Sequence, residues 1–176
     1  RSRGLGDVYK RQVSASFAAA FQRLLGNEGA YVDNPADPGG ATMWGITERV
    51  ARSWGYDGDM RALPRSTAEA IAYNRYWQPY QLDSLPASVA FQVFDAVYNG
   101  GPAVLWLQRA AGMPADQQDG AMGPKTLAAA LDVLPAQLIA RFDAQRLLYL
   151  ADLGTWPTFG RGWARRIANN LLVGEA

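Results

Sequence analysis

The chain contains neither cysteine nor histidine. Without cysteine there is no disulfide framework, no thiolate nucleophile and no cysteine-ligated metal. Without histidine the Ser-His-Asp and Cys-His arrangements are excluded, and so are imidazole-ligated zinc sites. If the chain is a hydrolase, carboxylates are the natural acid–base groups left to it. Net charge is also scarce, at +1. That value does not suggest nucleic-acid binding. No apolar run approaches the length of a membrane span, and no membrane partner is expected. What remains is ordinary for a globular protein: 176 residues, 49% hydrophobic and 19% charged. This is enough for one domain, or a domain with a small appendage, around a real core.

The stretch that stands out runs from Glu28 to Thr47, Glu-Gly-Ala-Tyr-Val-Asp-Asn-Pro-Ala-Asp-Pro-Gly-Gly-Ala-Thr-Met-Trp-Gly-Ile-Thr. Phe17, Phe21, Leu24 and Leu25 recur at helical spacing before it, and Glu28 extends that stripe. A carboxyl on the apolar side of a helix is partly desolvated, and at a helix C-terminus it meets the negative end of the macrodipole. With Gly29 as the C′ residue, both effects favour a protonated Glu28, the state a general acid needs. The bland alternative is a surface glutamate at a frayed helix end.

Asn34–Gly40 is dense in turn formers and cannot continue a helix. A loop or short hairpin there folds Asp37 back over the helix end in a polar setting. Carboxylates in opposed environments are how acid and base roles are divided. Asp33 competes with Asp37 for the second role, and either residue can instead make an Asx-turn. Acid, turn, second acid and hydroxyl is the layout of a glycoside-cleaving site. The hydroxyl is Thr42 or Thr47. Tyr31 and Trp44, within the same stretch, are the candidates for stacking on a sugar face.

Glu-Gly-Ala-Tyr, Asp-Pro-Gly-Gly-Ala-Thr and Gly-Ile-Thr together resemble the signature of glycoside hydrolase family 108, lysozyme-like N-acetylmuramidases of phages and bacterial secretion systems. The family usually shows Glu-Gly-Gly-Tyr, so Ala30 is a departure that matters only if that position needs a positive φ. The resemblance implies that Glu28 is the catalytic acid and that peptidoglycan glycan strands are the partner. It also implies action in the periplasm or on the cell wall, after release by a holin or secretion system. No metal or cofactor is implied, and a monomer is expected.

Residues 1–12 are basic and aperiodic, a leader outside the fold, and the alanine-rich run after them is a poor signal peptide. The catalytic part is expected over 13–82 and a helical part over 83–176, packed into one compact unit with the first. Thr47–Trp54 reads as a short helix, and Ser66–Glu69 as a capping box opening the next. Tyr73, Tyr76 and Trp77 on that helix are read as core. Phe91–Pro102, with its Phe-Asp-Ala-Val-Tyr-Asn-Gly run, resembles the family's second recurrent motif and puts Asp95 and Asn99 at the cleft. Gln108, Asp119-Gly120 and Gly123-Pro124-Lys-Thr126 resemble the peptidoglycan-binding region that follows the catalytic part; a helical half that only completes the core is the other reading. Pro135–Leu153 is a long helix with Arg146 on its apolar side. Gly160–Leu172 closes the chain as a basic amphipathic helix. The fold class expected is mainly α, a lysozyme-like α+β helical bundle around a substrate cleft, with a short β-hairpin or loop after the catalytic helix.

Overall fold

The computed structural model describes residues 14–26, 31–33 and 40–173. Among these residues the chain is helical apart from one short hairpin, and it divides into two compact units, residues 1–79 and 80–176.

In the first unit, α1 (Ala15–Leu25) opens on Ser14, whose hydroxyl accepts the Phe17 N–H at 3.1 Å. It closes on Gly26, at φ 59°, whose N–H bonds to the Arg23 carbonyl. The helix therefore stops short of the Gly29 cap that spacing predicts. Gly26 takes the cap because a glycine leaves the right-handed region without a Cβ penalty. The stripe ends at Leu25, and Glu28 and Gly29 lie outside the described residues. Phe17 and Phe21 stack with centroids 5.7 Å apart. Phe17 also meets Tyr73 and Trp77 edge-on, at 5.2 and 5.4 Å. Trp77 is fully buried, so the core reading of that aromatic pair is correct for Tyr73 and Trp77.

The hairpin β1 (Thr42–Met43) and β2 (Ile46–Thr47) leads into α2 (Glu48–Trp54), which Thr47 caps. The next helix, α3 (Arg65–Ala72), corrects an expectation. Pro64 holds its N-cap position with no side-chain cap, and Glu69 pairs with Arg65 at 3.0 Å instead of closing a box with Ser66. The helix starts two residues earlier than a Ser66 cap would allow, and Arg65 and Glu69 then form a favourable i,i+4 pair. A π-helical turn, Tyr73–Trp77, follows it.

The second unit is built around α4 (Ala87–Tyr98), buried without interruption from Val89 to Val97. A helix apolar all round must be enclosed. Its neighbours are α5 (Ala103–Ala110) and α7 (Pro135–Ala151); α6 (Pro124–Leu131) packs on α5 and α8 (Trp156–Val173) on α7. Gln108 of α5, 1% exposed, ties the following loop. Its amide nitrogen reaches Asp119 Oδ1, the Ala121 carbonyl and Thr126 Oγ1 at 2.7, 3.2 and 3.0 Å, and its oxygen accepts the Gly120 N–H at 2.9 Å. The Ala121 N–H bond and the Gln108 amide both hold Asp119 below the usual carboxylate range.

Two acids are buried among the described residues of the second unit. Asp95 on α4 is fully engaged, by Arg146 of α7 at 2.7 Å and by Arg166 and Asn170 of α8 at 2.8 and 3.0 Å. Asp143 on α7 has no hydrogen-bond partner at either oxygen. Burial raises its pKa from 3.8 to about 7, against the pull of Arg146 and with the push of Asp95. The folded protein thus binds a proton that the unfolded chain has lost, and stability falls as pH rises between about 4 and 7. With no histidine in the chain, little else of ordinary pKa titrates near the top of that window. We expect chemical denaturation to show stability dropping by up to ~1.4 kcal/mol per pH unit there, and Asp143→Leu to remove the slope. A flat parental profile between pH 5 and 7 would refute a buried, unpaired Asp143.

Candidate active site

Three backbone segments make the described part of the Glu28–Thr47 stretch. Val32 bridges Thr42, with mutual N–H···O bonds of 2.9 and 2.7 Å, and Thr42 in turn pairs with Thr47. Directly opposed residues share a face of the pleat, and their chain neighbours point the other way. Val32, Thr42 and Thr47 therefore lie on one face. Tyr31 and Asp33 lie on the other. The Tyr31 hydroxyl donates to Asp33 Oδ2 at 3.2 Å, and the Arg61 guanidinium sits 4.6 Å from the Tyr31 ring centre. Partial desolvation, then the Asp33 hydrogen bond and charge, raise the Tyr31 phenol above its ordinary pKa.

The hairpin turn is Trp44-Gly45, both at positive φ, 53° and 73°. This is the backbone of a type I′ turn, whose twist matches the strands, and glycine is at ease in its second place. Tryptophan in the first place is an outlier for a bulky residue. Its indole N–H donates to the Leu63 carbonyl at 2.9 Å, which holds the half-buried ring over the Met60–Leu63 segment. The Thr47 hydroxyl is taken by the Val50 N–H at 3.4 Å. Of the two threonines, Thr42 is the one whose side chain has no structural bond among the described residues.

The structure thus brings Tyr31 to Asp33 and Thr42 to Thr47, and it separates these pairs across the strip. Glu28 and Asp37 lie outside the described residues. Asp95 and Asn99 belong to the second unit. Asp95 is 1% exposed with both oxygens engaged, so it is a tie between helices and offers no free oxygen to a cleft. The Asn99 amide donates to the Asp95 carbonyl at 2.6 Å, and Asn99 lines a cavity of about 630 Å³.

Two contacts escaped sequence reasoning. Arg61 covers Tyr31 from a distant loop, and no local pattern announces it. Glu48 lies against Gly40 and pairs with Arg52 at 2.7 Å. An acid at the first helical position with an arginine four residues on is a readable signal for that pair.

Comparison with known proteins fits this arrangement. A family model described as Glycosyl hydrolase 108 matches residues 21–101, a span that contains the whole Glu28–Thr47 stretch. The chain belongs to glycosyl hydrolase family 108. A second model, described as Predicted Peptidoglycan domain, matches residues 102–168. The solved structure of Brucella abortus SagA is similar at 37% identity and a TM-score of 0.79, over 90% of this chain and 93% of that one. No curated protein gives a match. The family 108 chain is accordingly a glycosidase of peptidoglycan with a mainly helical, lysozyme-like fold.

Gly40 offers a test of how tightly the site strip is held. It sits at φ 75°, and a Cβ there would fall 3.1 Å from Glu48 Oε2. Gly40→Ala should cost about 1–2 kcal/mol for the left-handed backbone, plus a smaller contact penalty. Adding Glu48→Ala should recover only the contact part. Equal melting temperatures for the parental and Gly40→Ala proteins would contradict this geometry.

Proposed function

We propose that this peptidoglycan glycosidase is an N-acetylmuramidase that hydrolyses the β-1,4 bond between N-acetylmuramic acid and N-acetylglucosamine. The reading is carried by the family match over 21–101, which includes the Glu-Gly-Ala-Tyr run, in a chain with no histidine or cysteine for triad, thiolate or imidazole–zinc hydrolysis. Glu28 protonates the leaving oxygen. A second carboxylate orients water or stabilises positive charge at the anomeric carbon.

The strip favours Asp37 over Asp33 for that second role. Asp33 already accepts from Tyr31 and lies on the face opposite Thr42. A carboxylate and a hydroxyl on opposite faces cannot hold one water between them. Thr42, whose hydroxyl makes no bond among the described residues, then serves as the partner of Asp37, and Thr47 serves as the helix cap. Trp44, aimed by a strained turn, is the sugar-facing aromatic of choice, since strain of this kind persists only where the surroundings enforce it. The site of action is the periplasm or the cell wall, and the working form is a monomer.

Glu28→Gln tests the reading directly, because it keeps size and most hydrogen bonding but delivers no proton. Lysis of purified peptidoglycan should fall by about 10² or more, the usual scale of acid catalysis. Asp37→Asn should also impair turnover, and Asp33→Asn should impair it less. A folded Glu28→Gln protein clearing peptidoglycan at the parental rate would end the assignment. The Glu–Asp pair spans a turn-rich loop, which favours a water-sized gap and inversion. An α-anomer as the first product by NMR is therefore expected, and a β-anomer would point to a covalent intermediate.

A further inference from the structure

We propose that the cavity of the second unit is a binding site for the acidic stem peptide of peptidoglycan, with arginines taking its carboxylates and aromatic rings taking the attached sugar. This rests on peptidoglycan being the substrate and adds to it a second point of recognition. The cavity, about 630 Å³, is large enough for one sugar with a short peptide and too small for an extended polymer.

Its lining decides the ligand class. Arg146, Arg165 and Arg166 all line it, and no acidic side chain does. The whole chain carries a net charge of only +1, so the cavity concentrates positive charge that the surface as a whole lacks. Arg146 and Arg166 are fixed from behind by Asp95, at 2.7 and 2.8 Å. Both are thereby held in place without spending side-chain entropy on a ligand. Arg165 is exposed and makes no ion pair or hydrogen bond among the described residues. A guanidinium fork left open beside two that are locked suits a planar carboxylate. The exposed ring of Tyr149 and the half-buried ring of Trp163 line it, with Trp106, 1% exposed, packed behind Tyr149 at 5.3 Å between ring centres. Such rings cover pyranose faces and alkyl side chains without demanding charge. A bare anion would need the arginines alone, and a neutral glycan only the rings. A muropeptide needs both.

The test uses the full chain carrying Glu28→Gln, so that bound ligand is not consumed. Titration with a purified disaccharide tetrapeptide should shift the indole signal of Trp163 in NMR and give a saturable heat in calorimetry. Arg165→Ala should weaken that binding by about tenfold, the scale of one lost charge-assisted contact. Arg165→Lys should recover only part. The peptide-free disaccharide should bind weakly and lose less than about twofold, and a tetrapeptide with amidated carboxyls should behave like it. Arg165 is exposed, so unchanged melting of Arg165→Ala is expected. An equal fold-loss on Arg165→Ala for the intact and the amidated muropeptides, or a parental protein that binds both alike, would overturn the proposal. So would displacement by inorganic phosphate at equal concentration, which would reduce the cavity to a generic anion site. The two readings separate cleanly. A parental protein that holds the muropeptide in this cavity but cleaves no glycan would sink the muramidase reading alone. One that cleaves, and whose Trp163 signal ignores the muropeptide, would sink this one alone.

Discussion

The carboxylate of Asp95 is the point to which the second unit is tied. It is the single charge on a helix whose buried stretch is otherwise apolar except for Gln92, and it gathers Arg146 from α7 and Arg166 and Asn170 from α8. A buried ion pair is weak evidence of stability, because desolvation offsets much of the attraction. Removing one partner is another matter. It leaves an uncompensated charge in the core and typically costs about 3–5 kcal/mol. What Asp95 secures is registry: α4, α7 and α8 can be brought together in only one rotation if all its donors are to be met. Gln92, one turn earlier, adds a bond to the Asn170 carbonyl at 3.1 Å and points the same way.

In the first unit the comparable constraint is backbone, not charge. Val32, Thr42 and Thr47 are linked by a strip only one residue wide at its outer edge. So short a sheet has little stability of its own. It is held by what surrounds it: the Thr47 cap on α2, the Glu48 N–H on the Ala41 carbonyl at 2.7 Å, and the Trp44 indole on Leu63. Each of these fixes a residue of the Glu28–Thr47 stretch to a helix or to the segment before α3.

Much of this was legible from residues alone. The helix start at Pro124, the break at Asn99–Pro102 and the long Pro135 helix follow from turn formers and periodicity. A short hairpin does follow the first helix, though it turns at Trp44-Gly45, beyond the Asn34–Gly40 run where the sequence predicts it. What failed did so where two local signals competed. Gly26 and Gly29 are both capping glycines, and the earlier one is taken. Ser66–Glu69 is a fair capping box, yet Arg65 offers Glu69 a charged partner and the helix begins at Arg65. The position of Asp95 was legible as important but not as what it is, because its partners lie 51, 71 and 75 residues away. Long-range polar ties leave no period in the sequence. The same holds for Arg61 over Tyr31.

Asp143 completes the electrostatics of the second unit. It lies on α7 one turn from Arg146, buried and unbonded, and burial keeps it largely protonated below about pH 7. Were it ionised, the arginines lining the cavity would face two buried carboxylates and not one. Their field would be spent on the protein itself. With Asp143 neutral, Asp95 balances one positive charge of the three and leaves the cavity cationic. Below about pH 7, then, an acid buried without a bond stays largely uncharged and leaves the charge of the neighbouring Arg146 to Asp95 and to the cavity it lines.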